Sequence, residues 1–352
     1  MSFIISSKTI FPKNNYNQNE MIDFLATIWP KKKKLVSKFS KNVCVSNRAL
    51  CLEKKDILNL GSFANRNKIW KEKAVPLMEE SILEVLKKSG LEVRDINQFI
   101  TTSVTGFCIP SIDTIMMNKL DFNENTKRLP LFGFGCLGGV ASLNRAHEYL
   151  RLNPEHAVLI SAVELCSLTF QPEDDSIENL IGTALFGDGA ASVIMVGKNH
   201  RLVERAKFEL LNYDAFFYKN SADTMGWDIR DTGLKLVLNK NVSELVNNNI
   251  PRNLMSLLDR SRITKDDITF SISHPGGPKV LEAMEEALEM SNKDFQNSWQ
   301  SLKEHGNMSS VSVLNVLERS IKDDIANEGE YGVMAAMGPG FNSEISIIRK
   351  VR

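Results

Sequence analysis

Apolar residues along the chain fall into short continuous runs that alternate with amphipathic stretches. Residues 2–12, SFIISSKTIFP, read as a first strand, followed by an amphipathic helix over NEMIDFLATIWP that stops at Pro30. A longer helix is predicted from about Asn67 to Ser89. There Trp70, Val75, Leu77, Met78, Ile82, Val85 and Leu86 make a broad apolar face, and Gly90 supplies the stop. INQFITTSV follows as a strand, then a helix over 111–119. AVLISAVEL (157–165) and GDGAASVIMVG (187–197) are apolar along their whole length, the pattern of strands covered on both faces. Between them, QPEDDSIENLI reads as a polar stretch.

After about residue 200 the alternation restarts. It runs through a helix at 241–258, the strand ITFSISHP, the helix GPKVLEAMEEALEM, a helix over 309–325 and closing strands YGVMAAMG and EISIIRKV. Such alternation predicts an α/β layered fold with helices covering the sheet faces. Residues 1–200 and 201–352 read as two copies of one topology. No Pro/Ser/Gly-rich linker separates them, so the halves are expected to pack as one body.

Composition narrows the possible roles. With 352 residues, 43% of them hydrophobic, the chain can bury a substantial core. Lys plus Arg and Asp plus Glu both number 43, so net charge gives no reason to expect nucleic acid or an anionic membrane as partner. KKKK at 31–34 reads as solvated surface. The five cysteines, Cys44, Cys51, Cys108, Cys136 and Cys166, form no Cys-x-x-Cys pair and no Cys/His cluster, which argues against a disulfide scaffold or a structural metal. The N-terminus lacks a basic start followed by an apolar core, and no run of about 18 apolar residues occurs. A reducing, cytoplasmic setting is expected.

Three places carry candidate chemistry. Cys136 lies among Gly133, Gly135, Gly138 and Gly139, just before a helix. Exposed N–H groups and the dipole at a helix start favour thiolate, whereas free cysteine is also among the most buried and inert residue types. His274 ends a strand and enters Pro275-Gly276-Gly277-Pro278, while the other four histidines lie in helices or polar turns. Asn307 occupies a turn before a helix that Ser309 or Ser310 is placed to cap. Singly, each residue type in such a place is more often a packing or capping residue than a catalytic one.

Together they carry a resemblance. GFGCLGG, ELCSLTF, LIGTALFGDGAASVI, HPGGP, GNMSS and MGPG occur in the order and approximate spacing of the type III polyketide synthases, the chalcone-synthase-like branch of the thiolase-fold superfamily. The resemblance spans nearly the whole chain. PSIDTIMMNKL, VELCSLTFQPED and GWDIRDTGL are most similar to bacterial members that make alkylpyrones or alkylresorcinols from fatty acyl thioesters.

The resemblance implies a thiolase-like fold of two similar halves in α/β/α/β/α layers, and a Cys136-His274-Asn307 triad. Cys136 thiolate, paired with a His274 imidazolium, would carry the acyl chain from acyl-CoA. His274 and Asn307 would donate to the enolate oxygen formed when malonyl-CoA loses carbon dioxide. No metal or redox cofactor is implied. Phe186 matches the gate between the CoA tunnel and the chamber, and Leu236 stands where plant members have a second phenylalanine. Cys166, Glu164, Thr169 and Ser309 match the chamber wall. Gly338, Pro339 and Gly340 match a cavity-shaping loop, although Ala336 replaces that loop's first glycine. Lys38 matches a CoA-binding cation, whereas Leu35 and Asn42 do not keep the charge of their matches; Lys41, Arg48 and Lys279 are further candidates. Ile109 matches a residue that crosses a homodimer interface.

Two other readings are weighed beside this one. Ketoacyl-acyl-carrier-protein synthase III shares the triad and fold, but it usually follows its histidine with Gln-Ala-Asn instead of Pro-Gly-Gly-Pro. A non-catalytic partner subunit of the same fold tends to lose the nucleophile, which this chain keeps.

Overall fold

The computed structural model describes residues 1–239 and 241–352. Its first half comprises β1 (Ser2–Ile10), β2 (Asn14–Asn17), α1 (Gln18–Ile28), α2 (Lys33–Asn42), β3 (Asn47–Leu50), α3 (Phe63–Ser89) and β4 (Gln98–Ser103). It continues with α4 (Ile112–Lys119), β5 (Lys127–Phe132), α5 (Gly138–Leu152), β6 (Ala157–Leu165), α6 (Ile177–Leu185) and β7 (Asp188–Gly197). The second half begins with β8 (Phe208–Phe217), β9 (Met225–Arg230), β10 (Gly233–Leu238), α7 (Val242–Ser261) and β11 (Ile268–Ser273). It closes with α8 (Pro278–Leu288), α9 (Gln296–His305), α10 (Ser310–Lys322), β12 (Tyr331–Gly338) and β13 (Asn342–Lys350).

One nine-stranded sheet runs in the order β11-β12-β13-β8-β1-β7-β6-β4-β5. Outward from the β1/β8 pair, the two sides repeat each other. β1, β7, β6 and β4 pair antiparallel, antiparallel, parallel, and so do β8, β13, β12 and β11. The fold is thiolase-like, with α5 and α10 packed together between the two halves of the sheet. Both helices are buried on most sides, which explains their small and apolar residues. The amphipathic α3 covers β1, β6 and β7 from outside, and α7 covers β8 and β13. β6 and β7 are buried at every position, the structural reason their sequences do not alternate.

Two local expectations fail. QPEDDSIENLI is not a polar stretch throughout but enters α6, where the Ser176 hydroxyl caps Asn179 N–H at 3.3 Å and Leu180, Ala184 and Leu185 are buried. Ser309 precedes α10 but its hydroxyl caps nothing, because its backbone has φ 49° and ψ −127°; Ser312 Oγ instead accepts from Met308 N–H at 2.7 Å. No helix among the described residues is long and apolar enough to cross a membrane.

Candidate active site

Cys136 sits in a tight turn, Gly135–Leu137, that runs directly into α5. The start of α5 is pressed onto the start of α10. A Cβ on Gly138 would lie 2.4 Å from Thr102 Oγ1, and one on Gly139 would lie 2.5 Å from Ser310 O, so only glycine permits this approach. The contact sets the Cys136 turn beside the segment carrying Asn307 and Ser309. Both side chains stand close enough to Cys136 to favour its thiolate.

Asn307 is oriented by two bonds. Its Oδ1 accepts from Ser309 N–H at 2.8 Å, and its Nδ2 donates to Gly276 O at 3.1 Å. The second bond ties it to the loop of His274, whose own N–H donates to Ala335 O at 2.9 Å. His274 is 3% exposed, and neither ring nitrogen has a hydrogen-bond partner among the described residues. A buried imidazole in that state has its polar atoms free for a ligand.

Electrostatics depart from the thiolate–imidazolium pair anticipated from sequence. Burial pushes the Cys136 thiol up to about 12; Ser309 and Asn307 pull it down, and the Glu164 charge pushes it further up. Burial also holds His274 down to about 3. Burial thus disfavours the charged form of each group taken singly.

Phe186 follows α6 immediately and forms a parallel backbone bridge with Asn307. Its ring is 5.9 Å from that of Trp227, and with Leu236 it closes over Gly182. Behind them lies a narrow cleft, partly open to solvent. Met21, Phe24, Leu25, Leu50 and Ile57 make an apolar wall, continued by Cys166, Phe186, Trp227 and Leu236, while Arg48, Ser167, Thr169, Asn179 and Thr183 add polar groups. Phe186 lines this cleft and its backbone bridges Asn307, so the cleft lies near the triad, although Cys136, His274 and Asn307 do not themselves line it. Trp227 and Gly182 escaped the sequence reading. Their signal was the GWDIRDTGLKL and LIGTALFG motifs, in which only Leu236 and Phe186 are assigned a place at the site.

Other candidates occupy different places from those anticipated. Glu164 is no free chamber wall: wholly buried, it accepts from Val104 N–H, Thr105 N–H, Thr105 Oγ1 and Ser310 Oγ at 2.6–3.1 Å. Gly338 and Pro339 do not line the cavity but back the Cys136 turn. A Cβ on Gly338 would meet Phe134 O at 2.4 Å, and one on Gly135 would meet Pro339 Cδ at 2.6 Å. Gly340, at φ +97°, turns the hairpin from β12 to β13. Lys38, Lys41 and Lys279 are exposed. Arg48 is not a cation at a tunnel mouth, because it is wholly buried and its guanidinium bonds to Thr183 O, Phe186 O and Gln18 Oε1. Among the described residues no group of three His, Cys, Asp or Glu side chains is placed to hold a metal.

A duplicated sheet, a central helix pair, and a cysteine, a histidine and an asparagine brought to one end of that pair define a thiolase-fold acyltransferase. Residues 9–199 match the N-terminal domain and residues 210–352 the C-terminal domain of the chalcone and stilbene synthases. The chain belongs to this family, the type III polyketide synthases. It is 35% identical to a Bacillus subtilis (strain 168) relative named for chalcone synthase, over 98% of both chains. It is 34% identical to 1,3,6,8-tetrahydroxynaphthalene synthase of Streptomyces peucetius subsp. caesius, over 97% of this chain and 91% of that one. The crystal structure of 1,3,6,8-tetrahydroxynaphthalene synthase from Streptomyces coelicolor A3(2) superimposes with a TM-score of 0.94 at 28% identity, covering 99% of each chain.

Proposed function

We propose that the chain extends a medium- or long-chain fatty acyl-CoA with malonyl-CoA and releases an alkylpyrone or alkylresorcinol. The observation that carries this reading is the apolar wall of Met21, Phe24, Leu25, Leu50 and Ile57, which suits a hydrocarbon chain better than a polar starter.

Cys136 Sγ attacks the acyl-CoA thioester, its proton passing to the neutral His274, and CoA leaves as the thiol after taking that proton. Malonyl-CoA then loses carbon dioxide: the C–C bond pair becomes an enolate whose oxygen accepts from His274 Nε2–H and Asn307 Nδ2–H. The enolate carbon attacks the Cys136 thioester, a C–C bond forms, and the cysteine leaves. Neutral His274 suits the donor role, since it keeps one N–H at neutral pH. Lys38 and Lys41 on α2 and Lys279 at the start of α8 supply exposed cations for the phosphates of CoA. A homodimer is supported by Ile109, 95% exposed, and by the exposed Phe107 and Phe132.

The likeness to 1,3,6,8-tetrahydroxynaphthalene synthase favours a second reading, in which the product is a small polyhydroxylated arene. One experiment separates the two: purified protein is incubated with malonyl-CoA alone and with acyl-CoAs from acetyl to stearoyl, and products are identified by mass spectrometry. Alkylpyrones or alkylresorcinols from the longer starters, absent with Cys136→Ala, support the first reading. A hydroxylated arene from malonyl-CoA alone, with no product from longer starters, overturns it.

A further inference from the structure

The last turn of α6 launches Phe186, and its four terminal carbonyls have no partner within the helix interior. Each is met by a different donor. Phe186 N–H donates to Gly182 O at 2.8 Å and Asn307 N–H to Leu185 O at 2.9 Å. Arg48 Nη1 donates to Thr183 O at 2.7 Å, and Gln18 Nε2 to Ala184 O at 3.2 Å. Arg48 Nη1 also reaches Phe186 O at 3.3 Å, its Nη2 donates to Gln18 Oε1, and Gln18 Nε2 reaches Ser40 O on α2 at 2.7 Å.

This is an unusual way to end a helix. A glycine in the left-handed region commonly satisfies the last carbonyls. Phe186 is instead extended, with φ −77° and ψ 146°, because the chain must pass straight into its bridge with Asn307. The cap must therefore come from side chains elsewhere in the sequence. A cation there also complements the negative end of the helix dipole. Arg48 is wholly buried and, among the described residues, makes no ion pair; both terminal nitrogens are bonded, Nε is left without a partner, and the nearby Asp188 carboxylate favours its charge. Burial lowers it to about 9, so it remains charged at neutral pH.

We infer that Arg48 and Gln18 are a positioning pair: they fix the end of α6 so that the Phe186 gate and Asn307 keep their places, and they tie both to α2. α2 carries Lys38 and Lys41, so the strut joins the helix proposed to bind CoA to the proposed enolate donor. The inference rests on the roles proposed above for Phe186 and Asn307. Cys136 is not part of the strut, because its turn is backed by Pro339 and by the α5–α10 contact.

The test compares Arg48→Met, Arg48→Lys, Gln18→Leu and Asn307→Ala with the parent enzyme. Malonyl-CoA decarboxylation, Cys136 alkylation by iodoacetamide and thermal unfolding are measured on each. Misplacing a reacting group by about 1 Å costs about 100-fold, so Arg48→Met should lower kcat for decarboxylation by about 10- to 100-fold with KM within about threefold, while alkylation, which Asn307 favours through the thiolate, slows far less than decarboxylation. Arg48→Lys should recover activity at low pH and lose it as pH rises, because a buried lysine gives up its proton more readily than arginine. Parallel loss of decarboxylation, alkylation and melting temperature, or decarboxylation within about twofold of the parent, would overturn the positioning role. Should Arg48→Met fail to fold, Gln18→Leu decides by the same criteria, since it keeps the charge and removes one cap. If Asn307→Ala retains full decarboxylation, the reading of the site falls and the positioning role with it. If Asn307→Ala loses decarboxylation while the Arg48 variants keep it, only the positioning role falls.

Discussion

Phe186 and Asn307 are bridged through their backbones: Asn307 N–H donates to Leu185 O at 2.9 Å, and Gly187 N–H donates to Asn307 O at 3.0 Å. The aromatic wall of the cavity and the asparagine beside Cys136 are thus parts of one backbone unit. Movement of either segment disturbs both.

The bridge depends on Gly187, where a Cβ would lie 2.2 Å from His305 O. Gly187→Ala must displace the backbone before Asn307, and overpacking of this kind costs about 1–3 kcal/mol. The expected result is a lower melting temperature together with loss of malonyl-CoA turnover well below that temperature. Calorimetry and a malonyl-CoA consumption assay check it; a variant with parental melting and turnover would show that the two segments are not coupled.

Cys136 lies far above the ordinary thiol range because it is buried, with Ser309 and Asn307 pulling the other way. Below its pKa, the thiolate fraction rises about tenfold per pH unit, so iodoacetamide inactivation should accelerate throughout the range from neutral to alkaline pH. Ser309→Ala removes a group that favours the thiolate and should slow inactivation at each pH. A rate already flat at neutral pH would show a preformed thiolate, with the His274 imidazolium as its counter-ion, and would reverse the assignment of neutral forms.

Glu164 gives a prediction of opposite sign in two assays. It is saturated by donors, so Glu164→Gln sets an amide N–H against a backbone N–H or a hydroxyl, a loss of about 1–3 kcal/mol. Its charge pushes the Cys136 pKa up, so the same variant should be alkylated faster. Unfolding by urea and the alkylation rate measure the two effects. Slower alkylation in a less stable variant would mean that Glu164 acts on Cys136 only by holding the fold.

Physical reasons separate what was legible in the sequence from what was not. β6 and β7 were legible because strands buried on both faces are apolar at every position. Cys136 was legible because a glycine cluster entering a helix marks a close approach, here onto Ser310. α6 was concealed by the polar QPEDDS that precedes it, and its apolar face is visible only once the partners of Leu180 and Leu185 are known. Arg48 could not be placed, since nothing in NRAL distinguishes a cation at a tunnel mouth from one buried against carbonyls 135 residues away. Ser309 looked like a helix cap because residue type suggests one, but its positive φ turns the hydroxyl toward Cys136 instead.

Leu236 offers the most direct control of which acyl chain is accepted. It lines the cavity with Cys166 and Trp227 and packs so closely that a Cβ on Gly182 would meet its Cδ2 at 2.7 Å. Because Leu236 lines the cleft, a larger ring at this position would narrow it. Leu236→Phe should therefore lower turnover of long-chain acyl-CoA by at least about tenfold and leave acetyl-CoA turnover within about threefold, since losing a few buried methylene contacts at about 0.8 kcal/mol each is enough. Competition between a short and a long starter, with products resolved by mass spectrometry, reads the ratio directly. An unchanged ratio would take Leu236 off the path of the chain. The starter would then have to leave the triad by a route that does not pass between Phe186 and Trp227.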